Sequence, residues 1–282
     1  MPASPTDLRA PFDVGVPVAG GELTVALWGE LGTAPPVLAI HGLTASSRAW
    51  LETATRLPGP VIAPDLRGRG GSGEIPGPFG MAAHAADCVA VLDGLGVDRA
   101  VVVGHSMGGF VASVLAHRHP SRVAGLVLVD GGAPLPPPDG DPEALLGPAA
   151  RRLDMRFPSP EAYRDFWRAH PSFAQWSPAV EGYVDYDLTG AGEQLRSRVS
   201  AEAMRADFLD LHTGAAGRDA FAALPDGVPF VRAERGMLDQ PTALYPDLDA
   251  LSRLKVTTVP GTNHYSILFS DAGVSAVVAS LS

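Results

Sequence analysis

Short apolar runs alternate with longer amphipathic stretches along most of this chain. Residues 22–27 (ELTVAL) alternate apolar and polar positions, the period of a strand with one face covered. Residues 37–40 (VLAI), 60–64 (PVIAP), 100–103 (AVVV) and 123–129 (VAGLVLV) are apolar runs of strand length, as in strands buried on both faces. Residues 229–233 (PFVRA) and 255–259 (KVTTV) add two more. The segments between them suit helices: 48–57, with Ser47 as a cap; 81–95, stopped by Gly96; 110–119, broken by Pro120; 247–254; and 271–281. Strands alternating with helices predict an α/β fold, a mostly parallel sheet with helices on both faces.

The pattern changes at Pro134. Residues 134–138 (PLPPP) and 139–142 (DGDP) read as a linker leaving the sheet. From there to about Pro225 the spacing is helical, clearest at 161–169 and 202–211, with no strand. The expected organisation is a core of residues 1–133 and 226–282, with a helical cap, 134–225, inserted after the sixth strand. That insertion holds ten of the 19 aromatic residues. Most must serve its own core. Phe166, Trp167, Trp176 and Tyr183 are the rings expected to face a substrate.

The run at 100–103 leads into Gly104-His105-Ser106-Met107-Gly108, a G-x-S-x-G pattern between a strand and a helix. A serine stands clear at a strand end only on a very tight turn, where side chains at 104 and 108 would meet neighbouring backbone. The first N–H groups of the following helix point toward the hydroxyl. Ser106 is therefore the candidate nucleophile, and it needs a base that titrates near neutral pH. Of the eight histidines, His105 is turned away by the tight turn itself. His84, His117 and His119 lie on helices, and His170 and His212 belong to the insertion. His264 follows the last strand in a glycine-containing loop, at the edge where parallel strands bring their C-terminal ends together. The N–H groups of Met107 and of Leu43, in the loop 41–44, are expected to hold an oxyanion, with Gly42 allowing close backbone approach. The His41 ring is expected to bond loop backbone. Asp130, Asp239 and Glu234 are the candidates for the acid that orients the histidine. Asp65 also ends a strand, and is expected to pair with Arg67 two residues on.

His41-Gly42 after one strand, Asp65-Leu66-Arg67-Gly68-Arg69-Gly70-Gly71-Ser72 after the next and Gly104-His105-Ser106-Met107-Gly108-Gly109 after a third form an ordered series. With an insertion and a late histidine, it resembles the α/β-hydrolase fold superfamily over nearly the whole chain. The resemblance implies an eight-stranded, mostly parallel sheet. It also implies a serine hydrolase that cleaves carboxylic esters through an acyl-enzyme, with no cofactor and no metal. In most of the family the acid follows strand seven as G-x-x-D, but here that place reads Ala233-Glu234-Arg235-Gly236. Some relatives carry it after strand six, where Asp130 falls. Asp130 is thus the expected acid and Asp239 the alternative. The aromatic insertion suggests an apolar or cyclic substrate, lactones included. Carbon–carbon bond hydrolysis, thioester hydrolysis, perhydrolysis and low-turnover ligand binding draw on the same residues.

Composition narrows the partners. A formal net charge of −10 disfavours nucleic acid and anionic membrane surfaces, which leaves a small-molecule ester as the expected partner. The one cysteine, Cys88, sits on an apolar helical face and reads as an inert buried thiol. No run approaches the length of a membrane span, and the first 15 residues lack the apolar centre of a signal peptide, so a cytoplasmic protein is expected. Residues 68–73 match G-x-G-x-x-G. Glu74-Ile75-Pro76-Gly77-Pro78 then follows and forbids the helix that a dinucleotide site requires. His117-x-His119 has no evident third metal ligand.

Overall fold

A computed structural model describes residues 8–135 and 142–281; the stretches 1–7 and 136–141, the latter most of the expected linker, lie outside the described residues. Strands β1 (Phe12–Val18), β2 (Gly21–Trp28), β3 (Val37–Ile40), β4 (Val61–Pro64), β5 (Ala100–His105) and β6 (Val123–Val129) alternate with α1 (Leu51–Arg56), α2 (Met81–Gly94) and α3 (Met107–Arg118). Between β6 and the next strand of this sheet lie α4 (Pro142–Asp154), α5 (Pro160–Arg168), α6 (Pro178–Asp187), two short strands β7 (Leu188–Thr189) and β8 (Arg196–Ser197), α7 (Ala201–Thr213) and α8 (Ala215–Ala222). The chain closes with β9 (Pro229–Ala233), β10 (Lys255–Val259) and α9 (Asp271–Leu281).

The main sheet has eight strands in the order β1-β2-β4-β3-β5-β6-β9-β10, and only β2 runs against the others. The expected fold class is therefore the one observed. Side chains of a strand alternate between faces, and the two halves of the core follow that period of two. Leu38, Ile40, Val102 and Leu128 pack on one face with α2 and α3. Ala39, Val103, Val127, Val129 and Val231 pack on the other with Trp50, α1 and α9. Complete burial of an aliphatic side chain contributes roughly 1.5–3 kcal/mol, so continuous apolar runs are what a doubly covered strand selects.

Register is the part of the fold that matters for chemistry. Ile40 pairs with Gly104, Gly104 with Leu128, Leu128 with Phe230, and Ala233 with Val259. The C-terminal ends of β3, β5, β6, β9 and β10 are thus level, and the loops that follow them meet along one edge.

Three local expectations change. The helix at 48–57 opens as a 3₁₀ turn capped by Ser46, because the Ser47 N–H is taken by the Asp65 carboxylate at 2.7 Å. The predicted helix at 247–254 is only a 3₁₀ turn, Asp249–Leu251: the Asp247 carboxylate accepts the Asp249 and Ala250 N–H groups and fixes a tight turn instead. The insertion contains the small hairpin β7–β8, too short to leave an alternating pattern.

Candidate active site

Ser106 joins β5 to α3 at φ 56 and ψ −125, a backbone region costly for a residue with a side chain. The neighbouring glycines leave no room for anything larger. A Cβ at Gly104 would lie 2.1 Å from the Gly108 carbonyl oxygen, and one at Gly108 would lie 2.1 Å from that of Ile40. The turn is tied down by the Ser106 N–H, which donates to Val129 at 3.0 Å. The cost is met by packing between β3, β5 and β6, and Ser106 is left lining a cavity.

His264 and Asp130 arrive from the loops after β10 and β6. The His264 Nδ1–H donates to Asp130 Oδ2 at 2.7 Å, and Asp130 Oδ1 accepts the Ala233 N–H at 3.1 Å. Both side chains are buried. An ionised carboxylate only accepts, so this bond fixes the proton on Nδ1 and leaves the lone pair on Nε2. Asp130, like Ser106, holds a positive φ (43°), and its N–H donates to Val231. Asp239 does not meet His264. It ion-pairs with Arg235 at 2.8 Å near the surface and accepts from Asn263, and Arg235 holds its carboxyl below the usual range. Glu234 accepts the Gly261 N–H.

His105 lies against His264, with ring centroids 4.6 Å apart, and its Nε2–H donates to the His264 carbonyl at 2.8 Å. Burial, then the neighbouring His264, holds its pKa well below the ordinary value, so it stays a neutral brace. His41 plays a similar part in the loop 41–44: Nδ1–H donates to the Gly42 carbonyl at 2.8 Å and Nε2 accepts the Leu66 N–H at 3.0 Å. Burial lowers its pKa to about 3. The ring bonds backbone, as expected of it.

The Met107 N–H opens α3, where the first N–H groups of a helix have no intrahelical acceptor. The Leu43 N–H has no protein acceptor among the described residues. Its carbonyl is held from behind by Arg69 Nε at 2.9 Å. Arg69, fully buried, also donates to the Arg67 carbonyl and pairs with Asp207 of α7. Asp207 accepts in addition from the Gly80 N–H and from His84. Burial alone would raise the Asp207 carboxyl; His84 and Arg69 outweigh it and hold it low. One buried cluster therefore links a helix of the insertion to the loop beside Ser106.

The expected Asp65–Arg67 pair is absent. Arg67 instead clasps Asp87 of α2 through two bonds of 2.7 and 2.6 Å. Asp65 accepts from the Ser47 N–H, the Gly71 N–H and the Tyr186 hydroxyl, and burial raises its pKa. Neighbours two apart in a loop need not face each other; each side chain found a partner across the fold. Cys88 is buried in the core, and burial pushes its thiol up.

The cavity above Ser106 measures about 380 Å³ and its wall is mainly apolar. Gly42, Leu43, Ser106 and His264 form its floor; Leu146, Tyr183, Phe208, His212, Tyr265 and Phe269 are among its walls. No carboxylate, lysine or arginine lines it among the described residues. Of the four rings expected at a substrate, only Tyr183 is there. Trp167 is buried against Tyr163 and Phe173, and Phe166 packs on Phe157. Trp176 donates to Glu181 at 2.9 Å beneath Arg168. These three form the insertion's own core and surface. The rings missed were Phe208, Tyr265 and Phe269. Adjacency to His264 points to the last two, and the i, i+4 pair Phe208 and His212 marks one helix face. No group of three or more His, Cys, Asp or Glu side chains among the described residues is arranged to hold a metal ion. No helix among them is long and apolar enough to cross a membrane.

Residues 35–169 match the family described as the alpha/beta hydrolase fold. The solved structure of E-2-(acetamidomethylene)succinate hydrolase superposes with a TM-score of 0.77 at 24% identity, covering 95% of this chain and 98% of that one. The chain has the α/β-hydrolase fold. A thioesterase domain from the curacin biosynthetic pathway shares this hydrolase fold with a TM-score of 0.71 at 22% identity, over 96% of this chain and 99% of that one. In sequence, lipase LipV of Mycobacterium tuberculosis is 44% identical over 168 residues, 59% of this chain. The match spans only 58% of the lipase's length. The loop after β9 reads Ala233-Glu234-Arg235-Gly236, with Glu234 held on the Gly261 N–H, and the carboxylate that meets the histidine follows β6.

Proposed function

We propose that this chain is a serine hydrolase that cleaves carboxylic esters of apolar, uncharged substrates, lactones among them. The observation that carries the reading is one juxtaposition: Ser106 on a strained turn and His264, backed by buried Asp130, both open into one apolar cavity. In the proposed reaction the ester carbonyl sits over Ser106. His264 Nε2 takes the hydroxyl proton as Oγ attacks, and Asp130 stabilises the imidazolium that forms. The oxyanion of the tetrahedral intermediate accepts from the Leu43 and Met107 N–H groups. His264 returns the proton to the leaving alcohol. Water, activated by the same nitrogen, then hydrolyses the acyl-enzyme and frees the acid. Removing one oxyanion donor typically costs about 3 kcal/mol, so the position of the Leu43 loop weighs as much as any side chain. The insertion acts as a cap that supplies Leu146, Tyr183 and Phe208 to the walls, with the boundaries 134–225.

The test is labelling by a fluorophosphonate followed by an ester panel. The reading expects one label, on Ser106, lost in Ser106→Ala, and turnover of neutral p-nitrophenyl esters and lactones above that of charged esters. A chain that is labelled yet turns over no ester is a binding protein. Faster turnover of acyl thioesters, or of a vinylogous C–C substrate, moves the assignment to those reactions. An unlabelled Ser106 overturns the proposal.

A further inference from the structure

A second cavity, also about 380 Å³, lies between the turn that follows β4 and the β7–β8 side of the insertion. Its character is opposite to that of the first. Arg156, Arg196 and Arg198 line it together with Gly71 and Gly73, and Glu74 is its one acidic residue. Such a cluster of cations is out of keeping with a chain of net charge −10.

The three arginines are also without an ion-pair partner among the described residues. Arg67, Arg69, Arg152 and Arg164 each hold an aspartate. Arg156, Arg196 and Arg198 have no carboxylate within ion-pair distance among the described residues. Arg156 uses one nitrogen to hold carbonyls at the end of α4. The Arg198 guanidinium lies over the Tyr186 ring at 5.6 Å, and its Nε is buried with no hydrogen-bond partner. The start of α7, at Ala201, opens into the same cavity and adds the positive end of a 13-residue helix.

We propose that this cavity binds the phosphate group of a small phosphorylated molecule. Three guanidinium groups less one carboxylate leave a formal charge of +2, which matches the charge of about −1.5 to −2 on a phosphate monoester at neutral pH. Guanidinium forks match phosphate oxygens better than any other side chain does. The cavity is far larger than a bare phosphate and falls within the range of small-molecule sites, so an organic part is accommodated too. This site is independent of the hydrolase reading: it shares no lining residue with the cavity above Ser106.

The experiment is titration calorimetry on the full chain at constant ionic strength with three probes: inorganic phosphate, phenyl phosphate and acetate. Each is repeated on Arg196→Glu and Arg198→Gln, with circular dichroism and thermal midpoint as checks of folding. Saturable binding of either phosphate probe below about 10 mM, weakened about 10- to 100-fold in the variants, supports the site; the fold-change is that of one lost charge-assisted bond. Tighter binding of phenyl phosphate shows that the cavity reads the organic part, and equal binding shows a site for the ion itself. Arg196 is partly exposed and outside the core, so its variant carries the test if Arg198→Gln does not fold. Acetate binding as tightly as phosphate, variants binding as the wild type does, or no saturation by either phosphate overturns the proposal.

Discussion

Asp130→Asn is the change that weighs most on the proposed chemistry. The wild-type carboxylate accepts from His264 Nδ1–H at 2.7 Å and from the Ala233 N–H at 3.1 Å, with no exposure to water. The amide can keep one of these acceptors and must turn an NH₂ toward the other. With its oxygen on Ala233, the NH₂ faces His264 Nδ1, and the proton moves to Nε2, the nitrogen that has to take it from Ser106. By analogy with the serine-protease triad the expected loss in kcat is about 10⁴, or about 5.4 kcal/mol. KM and the thermal midpoint should move little, because shape and volume are kept. Asp239→Asn is the companion. Its carboxylate is about a third exposed and paired with Arg235, so it should cost less than about 1 kcal/mol of stability and leave kcat within a factor of three or so. Stopped assays with p-nitrophenyl acetate, active sites counted by fluorophosphonate, separate a slow enzyme from a misfolded one. An Asp130→Asn enzyme within tenfold of wild type, or an Asp239→Asn enzyme equally impaired, refutes the assignment of Asp130 as the acid.

Other outcomes follow from the surroundings of the site. Gly42→Ala should lower kcat about 10- to 100-fold, because its Cβ would stand 3.0 Å from Ser106 Cβ on a turn that cannot yield; unchanged kcat in the same assay contradicts that rigidity. Asp207→Asn leaves the buried Arg69 guanidinium unpaired and should cost about 3–5 kcal/mol in urea unfolding, and a loss below about 1 kcal/mol means that the cluster is not a structural joint. Phe208→Ala opens the cavity wall and should raise KM for long apolar esters more than for acetate, and a uniform change across acyl lengths argues against its place there. Buried neutral His41 has a folded pKa of about 3 against 6.5 for the free side chain, so the stability it contributes is complete above pH 6.5 and is lost as pH falls toward 3. It should subtract about 1.4 kcal/mol per pH unit in that window. His105 acts in the same direction and the raised Asp65 in the opposite one. Urea unfolding at pH 7 and pH 5 should show a slope smaller by about one proton in His41→Gln, and an unchanged slope contradicts the buried neutral ring.

The sheet and its reactive edge were legible in the sequence because each signal is local. A four-residue apolar run followed at once by His-Gly, by Asp-Leu-Arg-Gly or by Gly-His-Ser-Met-Gly marks both a strand and its C-terminal end. Parallel pairing then gathers the ends with no further information. The place of Asp130 at that edge was readable on the same ground, as the residue after an apolar run. The walls of the cavity were not readable. Trp167, Phe166 and Trp176 look from sequence just like Tyr183 and Phe208, since helices of an insertion bury more than one side and ring size does not tell which side. Partners of buried charges were hidden for a related reason. Arg69 and Asp207 are 138 residues apart and Asp65 and Tyr186 are 121 apart, distances at which no spacing rule applies.

Those long-range pairs bear on how such a site keeps its geometry. The Leu43 loop has no regular structure of its own, yet in the proposed reaction its N–H must be held ready for an oxyanion, since a donor that has to move into place loses most of its value. His41 fixes one end of the loop to Leu66 and bonds the Gly42 carbonyl, which shares a peptide plane with the Leu43 N–H and so sets its direction, and Arg69 holds the next carbonyl, that of Leu43. Arg69 is in turn fixed by Asp207, and Asp207 belongs to α7. The helix that supplies Phe208 to the cavity wall is thus the one that anchors, through its neighbouring residue, the loop beside Ser106. A displacement of α7 on substrate entry would act on both the fit of the acyl chain and the oxyanion donor. Asp207→Asn should accordingly lower kcat as well as stability, with the deficit in kcat persisting far below the unfolding temperature. A variant that is less stable yet turns over at the wild-type rate at 10 °C would separate the two roles and leave Asp207 as a structural joint alone.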